Sequence, residues 1–414
     1  MNRKDVELMS PVGSYESLMA AIQGGADSVY FGIDKMNMRS RSSVNFMEAD
    51  LERILDICKR QNIKTYLTMN IVIYDSELTR MRELVDFAKE MGISAIIAAD
   101  PSVINYAHAK GVEVHISTQV NVSNIESLKF YSNYADVIVL ARELNIDQVK
   151  EISTKIDYLN ICGPGGKKIQ LEMFIHGALC MSISGKCYLS LHEQNHSANR
   201  GECLQTCRKT YTVKEKESGM ELDIDNEYIL SPKDLCTIHF LNKILDAGVS
   251  VLKIEGRARP PEYVYTVTKC YREAIDSYLD GTYNIGKIEE WKVRLNTVFN
   301  RGYWDGYYLG QHLGEWTNVY GSQASKKKIY VGKGMNYFSN IGVAEFLCEA
   351  SEICIGDEIL ITGPSTGIIQ SKVEEIRVDL KKVESAKQGD RFSIRLDQIV
   401  RRSDKLFKMI GTGF

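Results

Sequence analysis

Short apolar runs alternate with helical patterns from the start of the chain, and this alternation limits the fold more than any other feature. The apolar runs fall at residues 7–10, 26–33, 64–72, 95–98, 112–117, 137–140, 171–175 and 251–254. Between them, apolar residues recur at helical spacing over residues 15–24, 48–60, 76–91, from Pro101 onward and over 145–153, with a last helix at 261–279. In the second of these helices Leu51, Ile54, Leu55 and Cys58 share one face, which predicts a packed thiol at Cys58. Strands separated by helices pair in parallel. Eight such units, most about twenty to thirty residues apart, predict an α/β fold, a closed TIM-like (β/α)8 barrel over residues 1–284. An open doubly wound sheet is the alternative that the alternation also allows.

The pattern changes twice after the last helix. Residues 285–325 read as a helix followed by the aromatic stretch FNRGYWDGYYLG, a linker packed beside the barrel. Arg301, Tyr303, Trp304 and Tyr307 there suit packing against a neighbouring domain or stacking on nucleic acid. From residue 326 to 414, short alternating strands separated by turn residues predict a small all-β barrel. Its phrase IGDEILITGPSTGIIQSKVEEI resembles domain two of elongation factor Tu, and Cys348 and Cys354 are expected as core or edge thiols.

One connection is far too long. About seventy-five residues, roughly 176–250, separate strand seven from strand eight. This insertion holds Cys180, Cys187, Cys203 and Cys207 as C-x6-C and C-x3-C, with Cys236 further on. Disulfides suit small exported domains. Zinc knuckles are usually tighter than C-x6-C. An iron–sulfur cluster takes four thiolates at varied spacings, and packed thiols are the bland alternative. Spacing alone leaves these open.

In such barrels the reactive groups sit where strands end. Arg39 and Arg41 follow strand two, Asn70 ends strand three, and Asp100 follows strand four. Gln119 and Asn121 follow strand five, Arg142 and Glu143 strand six, His176 strand seven, and Glu255 and Arg257 strand eight. Taken singly, such residues are often solvated loop residues or caps; as a set they describe a polar rim.

The segment E-x-F-x-H-G-A-L-C-x6-C-Y-L-S, from Glu172 through His176 and Cys180 to Ser190, resembles the signature of the collagenase-like peptidase family, peptidase family U-32. LKIEGRARPPEYV, from Leu252 to Val264, resembles that family's second block. The resemblance implies a barrel, and a 4Fe-4S cluster on Cys180, Cys187, Cys203 and Cys207, with Cys236 as a competing ligand. Family members include tRNA and ribosomal RNA hydroxylation proteins and hydroxylation factors of ubiquinone synthesis. The wording HGALC…SG-x-C…C-x3-CR-x3-Y looks closest to the tRNA hydroxylation members. These take part in converting wobble uridine to 5-hydroxyuridine, with prephenate as co-substrate and without molecular oxygen.

On that reading tRNA and prephenate are the partners, with a shorter paralogue as a further candidate. Arginine forks bind carboxylates bidentately, so Arg39, Arg41 and Arg142 are candidate clamps for prephenate. Arg208, Arg257, Arg259 and Lys253 are candidates for RNA phosphates. Gln119, Asn121 and His176 are candidates for the edge of a flipped base. Glu172 joins the catalytic candidates, although its side of the strand is not fixed by parity. Peptide hydrolysis is the alternative, together with a non-catalytic role in a hydroxylation complex.

Composition excludes little. A net charge of −3 over 414 residues neither announces nor forbids nucleic-acid binding. No export signal or long apolar run is evident, so a cytoplasmic enzyme with reduced thiols and no membrane anchor is expected. Gly363-Pro-Ser-Thr-Gly367 matches a nucleophile elbow, but strand patterns on both sides predict a hairpin. His192 and His196 have i, i+4 spacing but lie in a polar loop.

Overall fold

The computed structural model describes residues 2–41, 46–212, 228–310 and 313–413. Eight parallel strands form the barrel wall: β1 (Glu7–Pro11), β2 (Ser28–Phe31), β3 (Lys64–Met69), β4 (Ala95–Ala98), β5 (Val114–Ile116), β6 (Val137–Val139), β7 (Gln170–Gly177) and, after a short strand β8 (Asp234–Cys236), β9 (Val251–Ile254). The ring closes because β9 pairs in parallel with both neighbours: Val251 lies opposite Glu7 of β1 and Glu172 of β7. The expected closed barrel is therefore present, and the open-sheet alternative is not.

Helices cover the outside. α1 (Tyr15–Gln23), α2 (Glu48–Arg60), α3 (Leu78–Met91), α4 (Pro101–Ala109), α5 (Ile125–Ser132) and α6 (Ile146–Leu159) follow β1 to β6 in turn. α5 is not among the helices that the periodicity predicts. It is only eight residues long and buries only Leu128 and Ser132, with Asn124 accepting from the Ser127 amide to start it. Asp100, a rim candidate, instead caps α4 by accepting from the Ser102 amide. Cys58 is buried on α2 as its face requires.

The insertion contains α7 (Leu189–Gln194), then β8, then α8 (Leu241–Asp246). β8 runs antiparallel to the end of β7, with His176 opposite Cys236. After α9 (Pro261–Leu279) and α10 (Ile285–Asn296), the aromatic stretch adds a strand, β10 (Tyr303–Trp304), parallel to β8. Part of the stretch read as a linker thus extends the barrel sheet.

The C-terminal region is an antiparallel all-β unit: β11 (Lys326–Phe338), β12 (Val343–Cys348), β13 (Ile353–Cys354), β14 (Glu358–Gly363), β15 (Gly367–Lys372), β16 (Ile376–Val378), β17 (Lys381–Val383), β18 (Ser385–Ala386), β19 (Arg391–Arg395) and β20 (Lys405–Gly411). Eight of these strands run in the order β15-β14-β20-β11-β12-β19-β16-β17, while β13 and β18 pair separately. The sheet curls on itself, since Ile369 of β15 and Ile376 of β16 share one core. Ser365 sits between β14 and β15 in a hairpin, as expected, so no nucleophile elbow exists there. The unit docks on the barrel through Leu360 and Ile368, which join the barrel's own core, and through Gln23 of α1, which bonds Thr366 O at 3.0 Å and the Ile368 amide at 2.8 Å.

Candidate functional site at the barrel mouth

The four insertion cysteines converge. Cys180, Cys187, Cys203 and Cys207 line a single cavity of about 120 Å³ over the C-terminal ends of the barrel strands. Two tethers hold the cysteine arms together. The Arg208 guanidinium donates to Leu179 O at 2.6 Å, Pro232 O at 2.7 Å and Ser231 Oγ at 2.9 Å, fixing the backbone beside Cys180. The Leu204 amide donates to Ser190 Oγ at 3.0 Å, joining the segment after Cys203 to that after Cys187. Gly201, at φ +85°, lets the second arm lie against the β2 loop. A Cβ there would meet Asn37 O at 2.4 Å.

Cationic side chains share the cavity with the thiols. Arg39, Arg208, Arg259 and Arg301 line the same cavity. Burial pushes the Cys207 thiol up to about 11, opposed by the neighbouring Arg208 and reinforced by the other three cysteines. Among the described residues, no group of three or more histidine, cysteine, aspartate or glutamate side chains is arranged to hold a single metal ion. Four thiols spread around one void form the donor set that a multinuclear iron–sulfur cluster takes. Cys236 stands apart: it is buried in β8 near the Tyr271 hydroxyl and is not among the residues lining this cavity.

Two further cavities touch Cys180. One lies inside the barrel mouth and is lined by Arg39, Arg142, Arg257, Lys253, Glu255 and Gln119, among others. The other lies on the outer side of the Cys180–Ser184 strap and has Trp304, Trp316 and Tyr307 in its walls, with Arg142 at its edge.

In the inner cavity Glu255 sits among arginines. Arg39 Nη2 lies 2.7 Å from Glu255 Oε1. Burial alone would raise the Glu255 pKa, but Arg39, then Arg142 and Arg257, hold it down at about 2. Arg257 is buried with neutral partners, Asn37 Oδ1 at 3.0 Å and Thr68 Oγ1 at 2.7 Å, and burial lowers it to about 10, so it stays charged at neutral pH. Arg142 donates to Ala178 O at 3.1 Å and lies 3.9 Å from the centre of the Phe174 ring.

The structure separates the other candidates. Gln119 lines the inner cavity and accepts from Ser117 Oγ. Asn121 adopts φ +60° and faces a different surface cleft, beside Glu143 and Asn145. Arg41 is exposed and lies 3.0 Å from the His196 ring, away from both mouth cavities. His176 does not reach the mouth. It is buried against Tyr263, Tyr271 and Tyr303, and burial lowers it to about 3, which keeps the imidazole neutral. A register shift in β7 between Phe174 and His176 turns it to the helix side. Glu172 points into the barrel beneath the mouth, with Lys253 Nζ at 2.6 Å. Lys253, a phosphate candidate, is buried there with it. Arg208 is committed to backbone carbonyls and positions the cysteine arms.

Sequence reasoning named Glu255 only as a rim residue and passed over Met38, Asn37 and Thr68, which complete the inner cavity or its arginine partners. Asn37 and Met38 belong to the irregular loop after β2, where no periodicity exists to read.

Residues 13–318 match Peptidase family U32. The chain belongs to this family. It is 62% identical over 408 residues to a Porphyromonas gingivalis protein named collagenase, covering 99% of both chains. It is 31% identical to tRNA hydroxylation protein P1 of Bacillus subtilis, over 90% of this chain and 87% of that one. It is also 32% identical to the 23S rRNA 5-hydroxycytidine C2501 synthase of Escherichia coli, over 75% of this chain and 46% of that one. The chain is therefore an enzyme of a family whose members carry both peptidase and RNA-hydroxylation names. No helix among the described residues is long and apolar enough to cross a membrane.

Proposed function

We propose that this U32 enzyme takes part in hydroxylating wobble uridine of tRNA to 5-hydroxyuridine, with a 4Fe-4S cluster on Cys180, Cys187, Cys203 and Cys207 and prephenate as co-substrate. The observation that supports it most is the convergence of those four thiols on one arginine-lined cavity directly above the inner cavity. The histidine at the end of β7 faces tyrosines, not a nucleophile, which counts against a hydrolytic pair there.

When bound, the cluster supplies one-electron or Lewis-acid chemistry at the mouth. The chain's own residues provide the rest. Arg257 and Arg142 carry positive charge into the inner cavity beyond what Glu255 and Glu172 neutralise, which suits a small carboxylate such as prephenate. The aromatic walls beyond Cys180 suit a flat ring, and the strap from Cys180 to Ser184 stands between the two. Gln119 offers an amide at the inner cavity. A shorter paralogue as partner and a cytoplasmic location remain part of this reading.

Nucleoside mass spectrometry of tRNA from a deletion strain tests it. We expect 5-hydroxyuridine to disappear and to return with the wild-type gene but not with Cys203→Ser. An unchanged nucleoside profile, with peptide cleavage abolished by altering Arg39 or Arg257, would establish the peptidase reading suggested by the collagenase-named relative.

A further inference from the structure

The barrel interior holds a line of ionisable groups that reaches the inner cavity from the opposite end of the barrel. Glu113, 46% exposed, stands at the N-terminal end of the barrel, with its Oε1 3.2 Å from Nε2 of His115. His115 is 1% exposed, and its Nδ1 faces Glu172 Oε2 at 3.7 Å. The other oxygen of Glu172 lies 2.6 Å from Lys253 Nζ. Lys253 lines the inner cavity beneath Cys180. The line thus runs from bulk water at one end of the barrel to the candidate reaction site at the other.

Two features set it apart from an ordinary buried ion pair. The Lys253–Glu172 pair is already balanced, so neutrality does not require His115. Moreover, His115 Nδ1 and Glu172 Oε2 are buried without a hydrogen-bond partner, and they face each other. Buried polar atoms without partners are costly, and here the two stand 3.7 Å apart across the step from His115 to Glu172. The remaining groups around His115 are occupied elsewhere: Tyr66, whose ring centre is 4.5 Å from that of His115, donates to Glu7 Oε1 at 2.7 Å, and Lys64 holds Glu7 Oε2 at 2.6 Å.

We propose that Glu113, His115, Glu172 and Lys253 form a proton relay through the barrel, connecting water at its N-terminal end with the inner cavity. The proposal rests on reading that cavity as the reaction site. In one passage the Lys253 ammonium gives a proton to a group in the cavity. The His115 imidazolium gives its Nδ1 proton to Glu172, and the carboxyl turns and returns a proton to the Lys253 amine, while the His115 ring, still protonated at Nε2, turns over so that its bare Nδ1 takes a proton from the Glu113 side and then turns back. One proton leaves the solvent, one reaches the cavity, and every relay group ends as it began. Burial alone would keep His115 neutral, but its contacts with Glu113 and Glu172 overcome this and raise its pKa, while Lys253 and His115 hold Glu172 below the usual carboxylate range.

Nitrogen-15 NMR of histidine-labelled whole protein tests the relay without turnover. His115 should titrate above an ordinary histidine, and its midpoint should fall in both Glu113→Gln and Glu172→Gln. A His115 that stays neutral between about pH 6 and 8, or that ignores either substitution, would overturn the proposal. In the tRNA reaction His115→Gln should lower kcat about a hundredfold with KM unchanged, whereas Tyr66→Phe, in the same layer but off the line, should not. Wild-type kcat in His115→Gln would also overturn the relay. Absence of any hydroxylation alongside the expected titration would instead count against the proposed reaction.

Discussion

At the scale of single residues, the cysteines and Glu255 carry the sharpest consequences. Cys203→Ser removes one of four thiols from the shared cavity, so iron and labile sulfide per chain should fall to background after anaerobic purification. Cys236→Ser should retain both, because Cys236 faces Tyr271 and not the cavity. Glu255 gives a pH signature. Its folded pKa, about 2, lies below the ordinary 4.5. Its contribution to stability is therefore complete above the unfolded value and is lost as pH falls from there toward the folded one. That contribution is on the order of 3 kcal/mol. Glu255→Gln should lower Tm at neutral pH, where it leaves Arg39, Arg142 and Arg257 without their carboxylate. Its Tm should also decline less than that of the wild type on acidification, as scanning calorimetry would show.

At the scale of elements, the places where sequence reading succeeded and failed have physical causes. Long amphipathic helices such as α2 and α3 declare themselves because one buried face imposes a period, and β4 does so as a short apolar run, AIIA, buried throughout. β8 and β10 do not: three and two residues are too few to show alternation, and they join the sheet because the end of β7 pairs with β8 and β8 in turn with β10. His176 illustrates the same limit. Its position after a strand suggested the rim, yet one register shift in β7 moved it to the opposite face. The cysteine convergence was legible through the motif, whereas the inner cavity needed the loop holding Asn37 and Met38, which has no period. Gly177, which ends β7, adopts φ +106°, and a Cβ there would meet Glu255 O at 2.4 Å. Gly177→Ala should therefore cost at least about 2 kcal/mol, measured by urea unfolding, and should widen the mouth where Cys180 departs.

At the scale of the whole molecule, the barrel and the β unit share apolar contacts, with Leu360 and Ile368 packed into the barrel's core. Gln23 is one polar clasp between them, beside the Lys328–Glu262 ion pair at 2.8 Å, and Gln23→Ala removes both of its bonds to the β15 hairpin. We expect a loss of about 1–2 kcal/mol and faster proteolysis between the two units, with the iron content of the barrel unchanged.

The ring is sealed by β9, which follows β7 only after the entire insertion. Because synthesis proceeds from the N-terminus, Cys180, Cys187, Cys203 and Cys207 all leave the ribosome before Val251, the first residue of the final stave. At about 5–20 residues per second, the nascent polypeptide spends a few seconds as an open trough with its sulfurs already outside the exit tunnel. The four thiols are thus exposed to solvent before the seam shuts.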